Sequence, residues 1–184
     1  MRISEWLYSI SNGWIALFAL LVFVLFAALV LPGQTKQSEA YSGDAGSPDT
    51  SLFYSAVELY DMAEGYGQEG RQAYVRARFT FDLVFPLVYT MFLATATSWV
   101  YGMTFAVRSR WRLANLAPLM GMLLDYLENL ATSLVMWRYP AHTLFADSLA
   151  PAFTLAKWVF VGGSFVLLAV GGVAAIWRRS RARG

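Results

Sequence analysis

The sequence predicts an all-α, polytopic membrane protein with four transmembrane helices and a short extracytoplasmic amphipathic helix between the first two. Three observations carry this expectation. Hydrophobic residues make up 58% of the 184 and charged residues only 14%, whereas a soluble domain carries about a quarter charged. The apolar residues come in blocks of membrane-crossing length. One block, Leu113 to Trp137, is apolar yet holds Asp125, Glu128 and Asn129 near its middle. Each carboxylate costs about 3 kcal/mol at that depth, so the other helices are expected to supply partners.

Met1 to Asn12 is an amphiphilic lead-in, with Trp6 and Tyr8 suited to an interface. Gly13 to Leu31 is uncharged and apolar, is ended by Pro32-Gly33, and covers about 28 Å, close to the hydrocarbon thickness. A secretory signal peptide is the competing reading, since Arg2 precedes the run and Ser38-Glu39-Ala40 offers a cleavage site. The run exceeds a signal h-region, so retention as a membrane helix is expected. Gln34 to Thr50, polar and rich in Gly and Ser, reads as a flexible linker. Asp49-Thr50 is a possible N-cap and Gly65 a stop for a short helix, with Phe53, Val57, Tyr60 and Ala63 or Glu64 at helical spacing. That helix is expected to lie on the outer membrane surface or to cap the bundle. The extracytoplasmic segment is assigned to residues 32–78.

A second long helix is expected from near Gln68 to Phe105, with its membrane part at about 79–103 and a kink at Pro86, whose ring removes the hydrogen bond to the Asp82 carbonyl. Arg108, Arg110 and Arg112 form a basic turn before the third span, 113–137. After a connection holding Pro140, His142 and Asp147, Pro151 opens a fourth span, 151–177, which carries Lys157, Gly162-Gly163 and Gly171-Gly172. An arginine tail follows. The basic residues set the orientation. With the N-terminus cytoplasmic, eight lie inside (Arg2, Arg108, Arg110, Arg112, Arg178, Arg179, Arg181, Arg183) and five outside (Lys36, Arg71, Arg76, Arg78, Arg138). Both termini are therefore expected in the cytoplasm, and the membrane is expected to be a bacterial plasma membrane.

Placed by depth and face, Arg78, Asp82 and Tyr89 of the second span, Asp125, Glu128 and Asn129 of the third, and Lys157 of the fourth meet in the outer half of the bundle. They are expected to form one network, structural or ligand-binding. A divalent metal on Asp82, Asp125 and Glu128 is a remote variant, since D-x-x-E on one helix is a weak signal. No catalytic set is visible. The absence of cysteine excludes disulfides, thiolate metal sites and thiol nucleophiles, and the single histidine, His142, reads as a surface residue. No cofactor motif is present and no basic face large enough for nucleic acid. Trp6, Trp14, Trp99, Trp111, Trp137 and Trp177 fall near span ends as interfacial anchors, with Trp158 inside the membrane beside Lys157. The glycine pairs are expected to permit close helix approach.

The run Gly67-x-x-Gly70-Arg71-x-x-Tyr74, Arg78-x-x-x-Asp82-x-x-Phe85-Pro86-x-x-Tyr89, Asp125-x-x-Glu128-Asn129 and Thr154-x-x-Lys157-Trp158 resembles a pattern in small uncharacterised four-helix bacterial integral membrane proteins. The resemblance covers roughly residues 55–160 and implies architecture alone. Two functional readings follow from the residues. The leading one is a non-enzymatic accessory, structural or assembly subunit that contacts membrane lipids and either a protein partner or further copies of itself. The alternative is a binding protein, carrier or enzyme for a lipophilic or cationic ligand held at the intramembrane polar site.

Overall fold

A computed structural model describes residues 2–182, which form α-helices and two short 3-10 segments, with no strand among the described residues. The helices are α1 (Arg2–Ile10), α2 (Gly13–Leu29), α3 (Leu31–Ser42), α4 (Ala56–Gly65), α5 (Gly67–Arg78), α6 (Phe81–Thr104), α7 (Ala117–Arg138) and α8 (Ala146–Arg181). Gly13–Ala45, Gly67–Thr104 and Ala146–Arg181 are long and apolar enough to cross a membrane. Helix α2 is apolar on all sides yet leaves Trp14, Leu17, Phe18, Leu21 and Leu29 exposed. Water would not tolerate so continuous an apolar face, but hydrocarbon does. These spans mark a membrane protein.

Helix α6 is the hub. It packs against α1, α2, α7 and α8, and its interior positions include Tyr89, Leu93, Ala96 and Tyr101. Small residues Ala16 and Ala19 seat α2 on it, and Phe23 stacks on Phe92 with ring centroids 5.2 Å apart. Close approach between α6 and α8 depends on Gly171, where a methyl group would overlap the Tyr101 ring. Tyr101 is fixed there because its hydroxyl donates to the Leu167 carbonyl at 2.8 Å. Gly121 of α7 likewise faces Val161 of α8. Gly162, Gly163 and Gly172 meet nothing within 4 Å, so within the chain the close-approach role expected of the pairs falls to Gly171 alone. Gly171→Ala is expected to destabilise the bundle by about 1–2 kcal/mol through overpacking, and Gly172→Ala to be near neutral. Parallel thermal melts in one detergent check the contrast.

Several segments differ from the sequence expectation for local reasons. The linker expected at Gln34–Thr50 is helical as far as Ser42. Pro32 stands in the first turn of α3, where its missing N–H needs no partner, so Pro32-Gly33 restarts the helix and does not end it. Ser38-Glu39-Ala40 therefore lies inside α3. The short helix α4 is capped by Ser55, whose side chain accepts from Glu58 N while the Glu58 carboxylate accepts from Ser55 N at 2.7 Å. This capping box starts the helix later than Asp49-Thr50 and turns a different face inward. Leu59 and Ala63 are buried, with Tyr54 and Tyr66 beside them, while Phe53 and Val57 are exposed. Helix α4 packs on α7 and α8 and caps that end of the bundle.

The single helix expected from Gln68 to Phe105 is parted at Phe79–Thr80, where Thr80 leaves the helical region and its hydroxyl bonds the Arg76 carbonyl. The helix runs on through Pro86. The basic turn winds into a 3-10 segment, Arg110–Leu116, before α7, and α8 starts at Ala146, ahead of Pro151. His142 is exposed and packs against Tyr60, ring centroids 4.5 Å apart. Helix α7 matches a bilayer crossing in length but carries Asp125 and Glu128 on its buried side.

Candidate functional site

The seven residues expected to meet do so, at the end of the bundle capped by α4. Helix α7 presents Asp125, Glu128 and Asn129 on one stripe, because residues three and four apart share a helical face. From α8, Lys157 Nζ reaches Glu128 Oε2 at 2.5 Å and Asp125 Oδ1 at 3.9 Å. From α6, the Tyr89 hydroxyl donates to Asp125 Oδ2 at 3.1 Å. Asn129 Nδ2 donates to Asp125 Oδ1 at 3.4 Å. Arg78, the last residue of α5, has Nε 2.9 Å from Asp82 Oδ2 one turn on, and its guanidinium lies 4.6 Å from the Tyr74 ring centroid.

One member was absent from the sequence expectation. Asp49, in the stretch after the Gly43–Ala45 turn, joins the two cations: its Oδ1 is 3.1 Å from Arg78 Nη1 and accepts from Lys157 Nζ at 3.2 Å. It sits 108 residues from Lys157, in a segment with no periodicity, so no sequence spacing could have pointed to it. Burial pushes its carboxyl up, but the charges of Arg78 and Lys157 outweigh that and hold it well below the usual carboxylate range. A second tier steadies Glu128. Thr154 Oγ1 donates to Glu128 Oε1 at 2.8 Å and pairs with the Tyr54 hydroxyl at 2.9 Å, and Thr132 Oγ1 donates to the Glu128 carbonyl at 2.9 Å.

The other arginines expected near this cluster behave individually. Arg71 donates to the Ala63 carbonyl at 2.7 Å, closing the end of α4, and lies over Tyr139. Arg76 is exposed. Trp158 stands beside Lys157, whose Nζ lies 5.3 Å from its ring centroid, but the indole is exposed on the outside of the bundle.

Asp49, Asp125 and Glu128 each bring a carboxylate oxygen within 4.8 Å of the others, a set that differs from Asp82, Asp125 and Glu128 by the exchange of one aspartate. Lys157 Nζ lies within 3.9 Å of an oxygen of all three. The triangle is thus a cradle around an ammonium group, made of the hard oxygen donors a cation prefers. Four carboxylates (Asp49, Asp82, Asp125, Glu128) face two cations (Arg78, Lys157). With all six ionised the cluster carries two excess negative charges, which protons or a further cation would neutralise.

Two cavities meet at this cluster. One, of about 430 Å³, runs between α2, α6 and α8, with Phe23, Phe85, Val161 and Phe165 on its apolar side and Asp49, Asp82, Asp125 and Lys157 at its polar end. The other, of about 280 Å³, is lined by polar groups of α3 and the 43–50 stretch, including Thr35, Glu39 and Ser47. Asp49, Thr50, Leu31, Thr35 and Phe81 border both. Asn129 Oδ1 is buried without a hydrogen-bond partner, so the polar core is not fully closed. No family model, no curated protein and no solved structure matches this chain.

Proposed function

We propose that this chain is a four-span protein of a bacterial plasma membrane, α7 being the fourth crossing beside the three apolar spans, with both termini cytoplasmic. In this reading it belongs with the small four-helix bacterial membrane proteins its sequence pattern resembles. It binds an amphiphile with a cationic head. The observation that carries the binding role is the cavity of about 430 Å³ that joins an aromatic wall to a carboxylate-rich end. An apolar chain fits between α2 and α8, which Phe23 and Phe165 bridge with ring centroids 6.1 Å apart. A cationic head meets Asp125 and Asp82 at the polar end and offsets the excess negative charge.

The test is titration of the detergent-purified protein with dodecyltrimethylammonium by calorimetry in a non-ionic detergent. Saturable one-to-one binding is expected. Asp125→Asn should weaken it about tenfold, close to 1.4 kcal/mol, and Val161→Trp, which fills the apolar end, should abolish it. Binding that is unsaturable, or indifferent to both changes, would sink this role.

A second reading, the accessory or assembly subunit, is favoured by a separate observation. Gly162 and Gly163 of α8 have open space around them, and bare glycine on a membrane helix admits a second helix at short range. A native mass spectrum of the same preparation separates the two: a ligand-free, stoichiometric complex supports the subunit, and a monomer that takes up the amphiphile supports the binding protein.

A further inference from the structure

At the opposite end of the bundle the chain builds a cleft of about 740 Å³ between α1 and the basic turn, lined by Ser4, Tyr8, Arg108, Ser109, Arg110 and Arg112, with Val107, Leu113, Glu5 and Ser9 completing it. We infer that this cleft binds the phosphate head group of an anionic phospholipid. The inference does not depend on the polar cavity, which shares no residue with it.

Four features support it. The first is charge: among the described residues none of the three arginines takes part in a salt bridge, although Glu5 is at the rim. Guanidinium groups in this state are suited to a phosphate, which they grip through paired N–H donors. The second is rigidity. Ser4 Oγ donates to Asn115 Oδ1 at 2.8 Å, Asn115 Nδ2 donates back to the Ser4 carbonyl at 3.2 Å, and the Tyr8 hydroxyl donates to the Arg112 carbonyl at 2.8 Å. Asn115 is fully buried and also bonds Ser98 Oγ of α6 at 3.0 Å. Helix α1 is therefore pinned to the turn, and both are pinned to the hub.

The third feature is the placement of Arg112, whose guanidinium lies 3.7 Å from the Tyr8 ring centroid. Stacking there limits its freedom before any ligand arrives, so less entropy is lost on binding. The fourth decides between a lipid and a free phosphate. Val107 and Leu113, in the lining, are exposed, as are the neighbouring Trp6 and Trp111. An apolar, tryptophan-bearing rim beside a basic pocket is the arrangement that accommodates acyl chains next to a head group. A soluble phosphate would gain nothing from it.

The experiment is native mass spectrometry of the full chain, delipidated in detergent and titrated with phosphatidylglycerol, phosphatidylcholine or inorganic phosphate. One phosphatidylglycerol should be retained per chain, in preference to phosphatidylcholine and undisplaced by millimolar phosphate. Each of Arg108→Gln, Arg110→Gln and Arg112→Gln should weaken retention about fivefold, the share of one basic residue near an anionic surface. The control removes three charges from the tail at once, in Arg178→Gln/Arg179→Gln/Arg181→Gln, against one in each cleft variant, and should still leave the tightest lipid in place. Equal loss from the tail variant would overturn the cleft in favour of diffuse charge attraction. Displacement by inorganic phosphate would overturn the lipid. If a single variant misfolds, the other two carry the test, with thermal melts as the check on folding.

Discussion

Lys157→Met is expected to be the most damaging single substitution in the bundle, lowering stability by about 3–5 kcal/mol. The size follows from what Lys157 leaves behind. Its ammonium is within 3.9 Å of oxygens on Asp49, Asp125 and Glu128, and Glu128 is almost completely buried. Methionine keeps the length and packing of the side chain, so the loss is electrostatic and not a cavity. The carboxylates would then face one another with only Arg78 to compensate them. The sign of the second substitution discriminates this account from simple packing. Glu128→Gln in the Lys157→Met background should restore part of the stability, because it removes a charge that has lost its partner. Thermal or denaturant melts of the four proteins in one detergent give the coupling. Additive effects of the two changes would show that the pair does not hold the bundle as its geometry implies.

The depth and face of charged residues carried most of the site's legibility. Asp125, Glu128 and Asn129 fall on one stripe because helical periodicity is rigid, and Arg78 and Asp82 one turn apart can hardly avoid each other even across the break at Phe79–Thr80. Lys157 had to be partnered at its depth, and its counter-charges on α7 were already in view. Periodicity is silent outside helices, so Asp49 could not be placed. Its partners come from tertiary folding of a non-repetitive stretch, and adding it turns a nearly balanced cluster into one with four acids against two cations. The misplacement of α4 had a different cause, since its signal was present. Ser55-Ala56-Val57-Glu58 is a capping box in plain sequence, and it outranks an Asp-Thr pair that lacks the reciprocal acid. The length of α3 was hidden by Pro32-Gly33, a pair that stops a helix or begins one according to which side the next turn lies.

Asp49→Asn is expected to lower stability by about 2–4 kcal/mol, less than loss of a fully buried partner because the Asp49 side chain is about one-third exposed and partly screened. Asparagine preserves shape while removing the charge shared by Arg78 and Lys157, which are each only 5% exposed. The pH dependence carries a definite sign. A carboxyl whose native pKa is depressed stabilises the fold fully above its ordinary value and loses that contribution as pH falls through the native one. The gap between wild type and Asp49→Asn should therefore be flat from about pH 5 to 8 and close only below about pH 4. The substitution should also loosen the stretch that carries it. Asp49 borders both cavities, and its ion pairs hold residues 46–52 against the bundle alongside the Tyr66 hydroxyl on the Gly46 carbonyl at 2.7 Å. Hydrogen exchange of those amides should accelerate in Asp49→Asn while that of α6 and α7 changes little. Unchanged exchange would assign the hold to the Tyr66 hydroxyl and to the turn in which Thr50 N and Ser51 N each donate to the Ser47 carbonyl at 3.2 Å. Faster exchange confined to this stretch would identify Asp49 as the latch between the two cavities, since Asp49 and Thr50 are part of the wall the two share.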